Sequence, residues 1–401
     1  MEYDYFICMR YVHRSLEEHI VQACRQFPVV VLTGPRQTGK TTLLRNLFPK
    51  LPFHTLDDPI KRKLAIEDPA LFLENASPPC IIDEIQYAPE LFPYIKMQVD
   101  SHRSEAGRFF LSGSQVFPLM QRVSESLAGR TAVFELLGFS LKEYPIPIQG
   151  DSPPTFQDLF QRIFVGSYPD PLIHGVDRRI FYQSYVQTYL ERDLRQVSDI
   201  RDMVLFQNFL ELLAARVGNL LNLSEIGKVL GISQPTAARW LSILESSRIV
   251  YLLRPYFKNI QKRVIKTPKL YFTDTGLASF LLRYPDPGSL SAGPHSGALF
   301  ENFMIMEYLK EKLHQQKLFE LYFYRDNHGN EIDLVLDQGT RFELIELKLA
   351  KTLRPSHYSA IERLSELFPS SNCTVISLYE ESIPLSRKVR NRAWWGIDKL
   401  A

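Results

Sequence analysis

Residues Gln26 to Leu47 read QFPVVVLTGPRQTGKTTLLRNL. Val29 to Leu32 form an apolar run, a glycine-bearing loop follows, and the residues from Lys40 onward repeat with helical spacing, so the stretch reads strand, loop, helix. Within it Gly34, Pro35, Arg36, Gln37, Thr38, Gly39, Lys40 and Thr41 satisfy GxxxxGK[ST] in the flanking context that gives this motif its meaning. The two glycines let backbone N–H groups curl around phosphates at a helix N-terminus. Lys40 reaches the β- and γ-phosphates, Thr41 offers a hydroxyl to Mg²⁺, and Thr42 completes the nucleotide-binding set.

A chain of 401 residues has room for two or three domains, each with its own core. Apolar content of 45% and charged content of 23% are ordinary for a soluble protein. No run approaches the ~18 to 20 apolar residues of a membrane span, and the N-terminus lacks the apolar stretch of a secretory signal. The expected compartment is the cytoplasm, with no membrane partner. Cys8, Cys24, Cys80 and Cys373 are scattered without a CxxC pair, which argues against a zinc site and a disulfide framework. A net charge of +2 implies no partner by itself, so local charge must decide.

A phosphate loop needs a partner for its metal. Cys80 to Gln86, CIIDEIQ, ends an apolar strand in adjacent carboxylates: Asp83 to hold Mg²⁺, and Glu84 to polarise the attacking water. Phe109 to Gln115, FFLSGSQ, ends another apolar strand in hydroxyls, and Ser112 or Ser114 is a candidate to bond the γ-phosphate or the water. The series TGPRQTGKTTL, IIDEIQ, LSGSQ and SLAGR resembles the ATPase domain of a large prokaryotic group of AAA+ ATPases. In that group a winged-helix segment and an uncharacterised nuclease-like domain follow. The resemblance implies ATP as the nucleotide, an α/β sandwich with a parallel sheet, and a homo-oligomer, ring or dimer. It makes Arg130 in SLAGR either an arginine that stabilises the γ-phosphate or one half of a structural ion pair.

Pro145 to Pro154, PIPIQGDSPP, reads as a linker. GSYPDP and YVQTYLERDLRQV beyond it also resemble segments of the group. Leu221 to Val250 reads as a helix-turn-helix: Ser224 caps a short helix, Gly231 ends it, and Ser233-Gln-Pro-Thr opens a second with Pro235 in its first turn. Ser233, Gln234, Thr236 and Arg239 then stand at the end of a recognition helix that contacts base edges. From Arg248 to Lys269 there are seven Lys or Arg and no Asp or Glu, a basic wing in which Lys262 and Arg263 are candidate phosphate contacts. DNA is the partner this implies; the competing reading is a protein-contact module. PKLYFTDTGL, Pro268 to Leu277, matches the same group, and its Asp274 has no chemical role in this reading.

Asn330 to Leu349 reads NEIDLVLDQGTRFELIELKL. With a turn at Gln338-Gly339, strand alternation puts Glu331, Asp333, Glu346 and Lys348 on one face, opposite Ile332, Leu334, Ile345 and Leu347. Like charges paired across strands destabilise a ladder, so either that face is solvated or something cationic sits between the strands. The preceding helix SGALFENFMIMEYLKEKL and the order helix, strand, strand, strand, helix, strand match restriction-endonuclease-like folds, in which D and ExK lie on the second and third strands. Asp333 and Glu346 would converge on one divalent ion, Mg²⁺ or Mn²⁺, with Lys348 beside the scissile phosphate. The resemblance adds Glu301 as a third ligand.

The expected architecture is multidomain α/β. It has a P-loop AAA+ ATPase domain over residues 1 to 150, a helical linker over 151 to 205, a winged helix-turn-helix over 206 to 287, and a PD-(D/E)xK nuclease-like domain over 288 to 401. Three functions fit: an ATP-driven DNA-processing enzyme with metal-dependent cleavage, a nucleotide-switched DNA-binding or regulatory protein with an inactive nuclease fold, and a protein-remodelling ATPase.

Overall fold

The computed structural model describes residues 11–114, 126–146, 153–190, 203–257 and 266–396. Five strands open the chain: β1 (Val29–Thr33), β2 (Phe53–Thr55), β3 (Cys80–Asp83), β4 (Phe109–Gly113) and β5 (Thr131–Glu135). They form one parallel sheet in the order β2-β3-β4-β1-β5. Both faces are covered, as the unbroken apolar runs require. Val29, Val31, Ile82 and Leu111 pack against Phe72, Phe92 and Ile95 on one side. Val30, Leu32, Ile81 and Phe110 pack against Ile20, Leu43 and Leu44 on the other. Because every strand runs the same way, their carboxyl ends share one edge, where Gly34, Asp83, Glu84 and Ser114 meet.

The middle of the chain is helical. Thr155 and Asp158 form a reciprocal capping box for the helix Phe156–Val165. Two further helices, Leu223–Leu230 and Gln234–Ser246, flank a turn in which Gly231 takes the left-handed conformation. The first is capped by Asn222, whose side chain accepts the Glu225 N–H, and Ser224 lies inside it; the expected cap was two residues too late. Ser233 caps the second, with Pro235 in the first turn.

Strands β6 (Val250–Pro255) and β7 (Lys269–Phe272) pair as an antiparallel hairpin. β6 then continues beside β8 (Glu320–Arg325), through Arg254 opposite Tyr322 and Pro255 opposite Phe323. β9 (Glu331–Asp337), β10 (Phe342–Lys348), β11 (Ser371–Ser377) and β12 (Val389–Ala393) complete a seven-stranded sheet, ordered β12-β11-β10-β9-β8-β6-β7. The expected boundary at residue 287 therefore crosses a continuous sheet and a continuous apolar core. Lys262 and Arg263, expected in the wing, lie outside the described residues.

One long helix, Ser296–His314, joins the two halves. Leu299, Phe300 and Phe303 on it belong to the core that also holds Leu334, Ile345 and Leu347 of the second sheet. Its last turns hold the loop after β5. Glu307 accepts the Leu141 N–H at 2.7 Å, Lys310 donates to the Phe139 carbonyl at 3.0 Å, and His314 Nε2 accepts the Leu137 N–H at 3.0 Å.

Asp274, without a role in the sequence, closes the joint between the helical region and the rest. It is buried and caps the helix Thr275–Leu281 by accepting the Leu277 N–H at 2.8 Å. Its oxygens also accept the Tyr182 hydroxyl at 2.6 Å and the Ser167 N–H and hydroxyl at 2.6 and 2.8 Å. Gly166, at φ +86°, is glycine by necessity: a Cβ there would stand 2.3 Å from the Tyr182 hydroxyl. GSYPDP and TDTG are thus two sides of one contact. Asp274→Ala removes the acceptor of three buried donors, the Tyr182 hydroxyl keeping the Val165 carbonyl at 2.9 Å, and a loss of about 3 kcal/mol or more is expected in chemical denaturation. A variant as stable as the parent would contradict this account.

Candidate functional site

The phosphate loop is built by close approach. Gly34, at φ +139°, passes so near β5 that a Cβ would lie 2.1 Å from the Leu136 carbonyl oxygen, which excludes any other residue. Gln37 (φ 61°) and Gly39 (φ 89°) turn the chain into the helix Lys40–Leu47. Lys40 is buried, and its ammonium donates to the Gly34 and Pro35 carbonyls at 3.0 and 2.6 Å, inside the loop. Thr38 is buried and bonds the Pro35 carbonyl, Arg36 donates to the Tyr87 hydroxyl at 3.1 Å, and Thr42 is exposed. The base of the loop rests on Arg14, a residue with no signal in the motif. Its guanidinium donates to the carbonyls of Thr38, Leu137 and Gly138 at 3.0, 2.8 and 3.2 Å.

At the same sheet edge Thr41 Oγ1 donates to the Asp83 carboxylate, 3.0 and 3.1 Å from its two oxygens. A hydroxyl beside a carboxylate at the phosphate loop is a hard oxygen donor pair that fits Mg²⁺. Burial pushes the Asp83 carboxyl up from its ordinary range, Ser112 pulls it back, and Glu84 pushes it up again. A divalent cation here would favour the charged form. Glu84 holds a left-handed backbone conformation at φ 57°, strained for a non-glycine residue, and its side chain accepts from Gln86 and, at 3.3 Å, from the Ser114 hydroxyl.

Two expectations are corrected. Ser112, fully buried, spends its hydroxyl on Asp83 instead of facing a phosphate. Arg130 precedes β5, whose first residue Thr131 lies opposite Val29, so it stands at the amino edge of the sheet, away from the loop. There it makes a two-pronged ion pair with Asp100, Nε to Oδ1 at 2.7 Å and Nη2 to Oδ2 at 3.1 Å. Of its two readings, the structural ion pair is the one formed.

The hairpin residues do gather on one face, and a cation does sit among them: Lys269, carried in by β7. It is 3% exposed, and its ammonium lies 2.9 Å from Glu301 Oε1 and 2.5 Å from Glu331 Oε1. Burial alone would lower this ammonium; Glu301, Asp333 and Glu331 more than reverse that and raise it. Tyr271, two residues along β7, donates to Glu301 at 2.6 Å, and Arg325 pairs with Glu331 at 3.0 Å. On the other side of the cluster Lys348 lies 2.6 Å from Glu346 and 3.6 Å from Asp333, and Asp333 accepts the Leu347 N–H at 2.8 Å. Burial, with Asp333 nearby, pushes the Glu346 carboxyl up to about 8. Among the described residues no three Asp, Glu, His or Cys side chains are grouped to hold a metal ion. The expected ligand set of Asp333, Glu346 and Glu301 is therefore not assembled, because Glu301 faces an ammonium and a phenol.

The expected DNA-contacting residues divide similarly. Ser233, Gln234 and Arg239 are exposed and Thr236 is half-buried, all near the start of the second helix, but the Ser233 hydroxyl is engaged as the cap of Thr236. Of the seven basic residues from Arg248 to Lys269, three are committed elsewhere: Arg248 to Glu135 at 2.6 Å, Arg254 to Glu245 at 3.1 Å, and Lys269 to the carboxylates. No described helix is long and apolar enough to cross a membrane.

Residues 26–145 match the family model described as an AAA domain, residues 156–287 the domain of unknown function DUF8612, and residues 296–394 the domain of unknown function DUF4143. A Walker-type ATPase of Pyrococcus abyssi is similar at a TM-score of 0.44 and 16% identity, over 66% of this chain and 94% of that one. Uncharacterised proteins of Mycobacterium tuberculosis (Rv2008c) and Mycobacterium bovis (Mb2031c) are each 33% identical over 353 residues, 86% of this chain and 76% of theirs. The N-terminal domain, with its phosphate loop and acidic strand end, binds and hydrolyses ATP, and the chain belongs to the family of these mycobacterial proteins.

Proposed function

We propose that this protein is an ATP-hydrolysing switch that binds DNA through the helix pair Leu223–Leu230 and Gln234–Ser246 and does not cut it. Lys40 neutralises the β- and γ-phosphates, while Thr41 and Asp83 would hold Mg²⁺, which when bound would offset charge on the phosphates. Ser112 positions Asp83. Glu84, braced by Gln86 and Ser114, orients the attacking water. The observation that carries the non-cutting half is Lys269 between Glu301 and Glu331, where a fixed ammonium supplies the positive charge that a nuclease draws from its metal.

A second reading, cleavage at Asp333, Glu346 and Lys348 with Mg²⁺ or Mn²⁺, is favoured by one feature. Glu346 Oε2 is buried with no hydrogen-bond partner, an atom that a metal would satisfy.

Lys40→Ala is expected to abolish ATP binding, and Glu84→Gln to bind ATP while hydrolysing it at least about 100-fold more slowly. Equilibrium binding and single-turnover hydrolysis separate the two effects, and unchanged turnover in the Glu84 variant would remove it from the mechanism.

Duplex DNA with Mg²⁺ or Mn²⁺, with and without ATP, is expected to be bound in a salt-dependent way and to stay intact. Affinity should differ between the ATP-loaded Glu84→Gln protein and Lys40→Ala. Cutting that Asp333→Ala abolishes would reinstate the nuclease.

A further inference from the structure

Away from both sites, the last two strands border a groove of about 790 Å³ lined by Arg387, Lys388, Arg390 and Arg392, with Glu343, Asn372 and Thr374 among its polar walls. The one carboxylate there, Glu343, accepts the Asn372 amide at 2.6 Å. Its basic residues come from one short run, Ser386 to Arg392, SRKVRNR, which contains no acid. Sequence reading passed over this run because it lies outside every motif. Arg387, Lys388 and Arg390 are exposed.

The simplest explanation for charges on an outer strand is protection of a free edge against pairing with another chain. That edge is already covered. The Asn391 N–H donates to the Ile383 carbonyl at 2.8 Å, the Leu385 N–H donates to the Val389 carbonyl at 2.8 Å, and Pro384 bridges Arg390. The covering loop is itself fixed, since the Asn391 side chain donates to the Tyr379 and Glu381 carbonyls and Ser386 donates to Glu362 at 2.7 Å. Arg390 and Arg392 alternate with the buried Val389, Asn391 and Ala393, so both project to one face. What remains is a rigid polar trough with cations on its rim, of which Lys388 also makes an exposed ion pair with Glu366 at 3.4 Å that a phosphate would replace.

We propose that this trough binds the phosphate backbone of duplex DNA, which rests on the nucleic-acid reading above and adds a second contact to it. Guanidinium forks match phosphate oxygens two at a time, and the Thr374 hydroxyl lies on the same face as Arg390 and Arg392. The lining residues Leu385, Pro384 and Cys373 form no deep apolar socket for the side chains of an acidic peptide. The register also separates this surface from the carboxylates: Glu346 lies opposite Val375, and Val375 opposite Asn391, whereas Arg390 and Arg392 share the other face with Thr374. DNA held in the trough is kept across the sheet from Asp333 and Glu346.

The test is fluorescence anisotropy of a mixed-sequence duplex titrated with the full chain over a range of salt. It compares the parent, the triple variant Arg387→Gln, Lys388→Gln, Arg390→Gln, and the helix variant Gln234→Ala, Arg239→Ala. Circular dichroism and thermal unfolding that match the parent serve as the folding control for both variants. If three phosphate contacts are lost, the slope of log affinity against log salt should shrink by about 2.7 in the triple variant. Parent binding with an unaltered slope in the triple variant and a loss only in the helix variant overturns the trough and leaves the DNA reading standing. A parent that binds no duplex overturns both. Displacement of the duplex by polyglutamate at matched charge would make the trough an acidic-protein surface and overturn the proposal.

Discussion

A guanidinium buried beneath the phosphate loop decides how the two halves of this chain meet. Arg14, 5% exposed, gives hydrogen bonds to the loop at Thr38 and to the strand exit at Leu137 and Gly138, and pairs with Glu143 at 3.2 Å. Glu143 also accepts the Ser15 and Ser140 N–H groups, both at 2.9 Å, and faces His314 Nδ1 at 3.1 Å. Burial would raise the Glu143 carboxyl, but His314 and Arg14 hold it well below the usual carboxylate range. A buried charge keeps its place only while its partners stay, so none of the three can move alone. His314 ends the long helix and Glu301 lies near its start, about 20 Å away at 1.5 Å per residue. One rod thus connects the ATP platform to the carboxylate cluster, with buried charge at both ends.

At the far end the balance is electrostatic. Glu301, Glu331, Asp333 and Glu346 crowd together, and Lys269, Lys348 and Arg325 answer them. Burial disfavours the charged forms of Lys269, Glu301 and Glu346, and removing one partner from a buried ion pair typically costs about 3 to 5 kcal/mol. Lys269 arrives on β7, which pairs with β6, and β6 continues into the second sheet. Its position is therefore set by backbone pairing, and a divalent ion would have to displace a well-bonded ammonium.

The phosphate loop and the acidic strand end were legible because each is a contiguous run whose chemistry depends on its own neighbours. The hairpin face was legible from alternation alone, which left a solvated face and a cation between the strands as the two alternatives. Which cation was not, because Lys269 pairs with Glu331 across a long stretch of chain and appeared in the sequence only as one more charge of a basic wing. Arg130 misled because a motif names a residue without saying which edge of the sheet it reaches; its place before β5, instead of after a strand, was the available signal. Asp274 could be recognised as a helix cap, but its bonds to Ser167 and Tyr182 exist only once two distant segments meet.

The claim that Lys269 stands where a metal would is tested most directly by calorimetric titration of Mn²⁺ into the parent and into Lys269→Met, with thermal unfolding followed alongside. The parent is predicted to give no binding heat dependent on Asp333. Lys269→Met is predicted to be less stable in metal-free buffer, to acquire a Mn²⁺ site that a further Asp333→Asn change removes, and to regain stability on adding the ion. Mn²⁺ binding by the parent at Asp333, unchanged when Lys269 is replaced, would contradict the account.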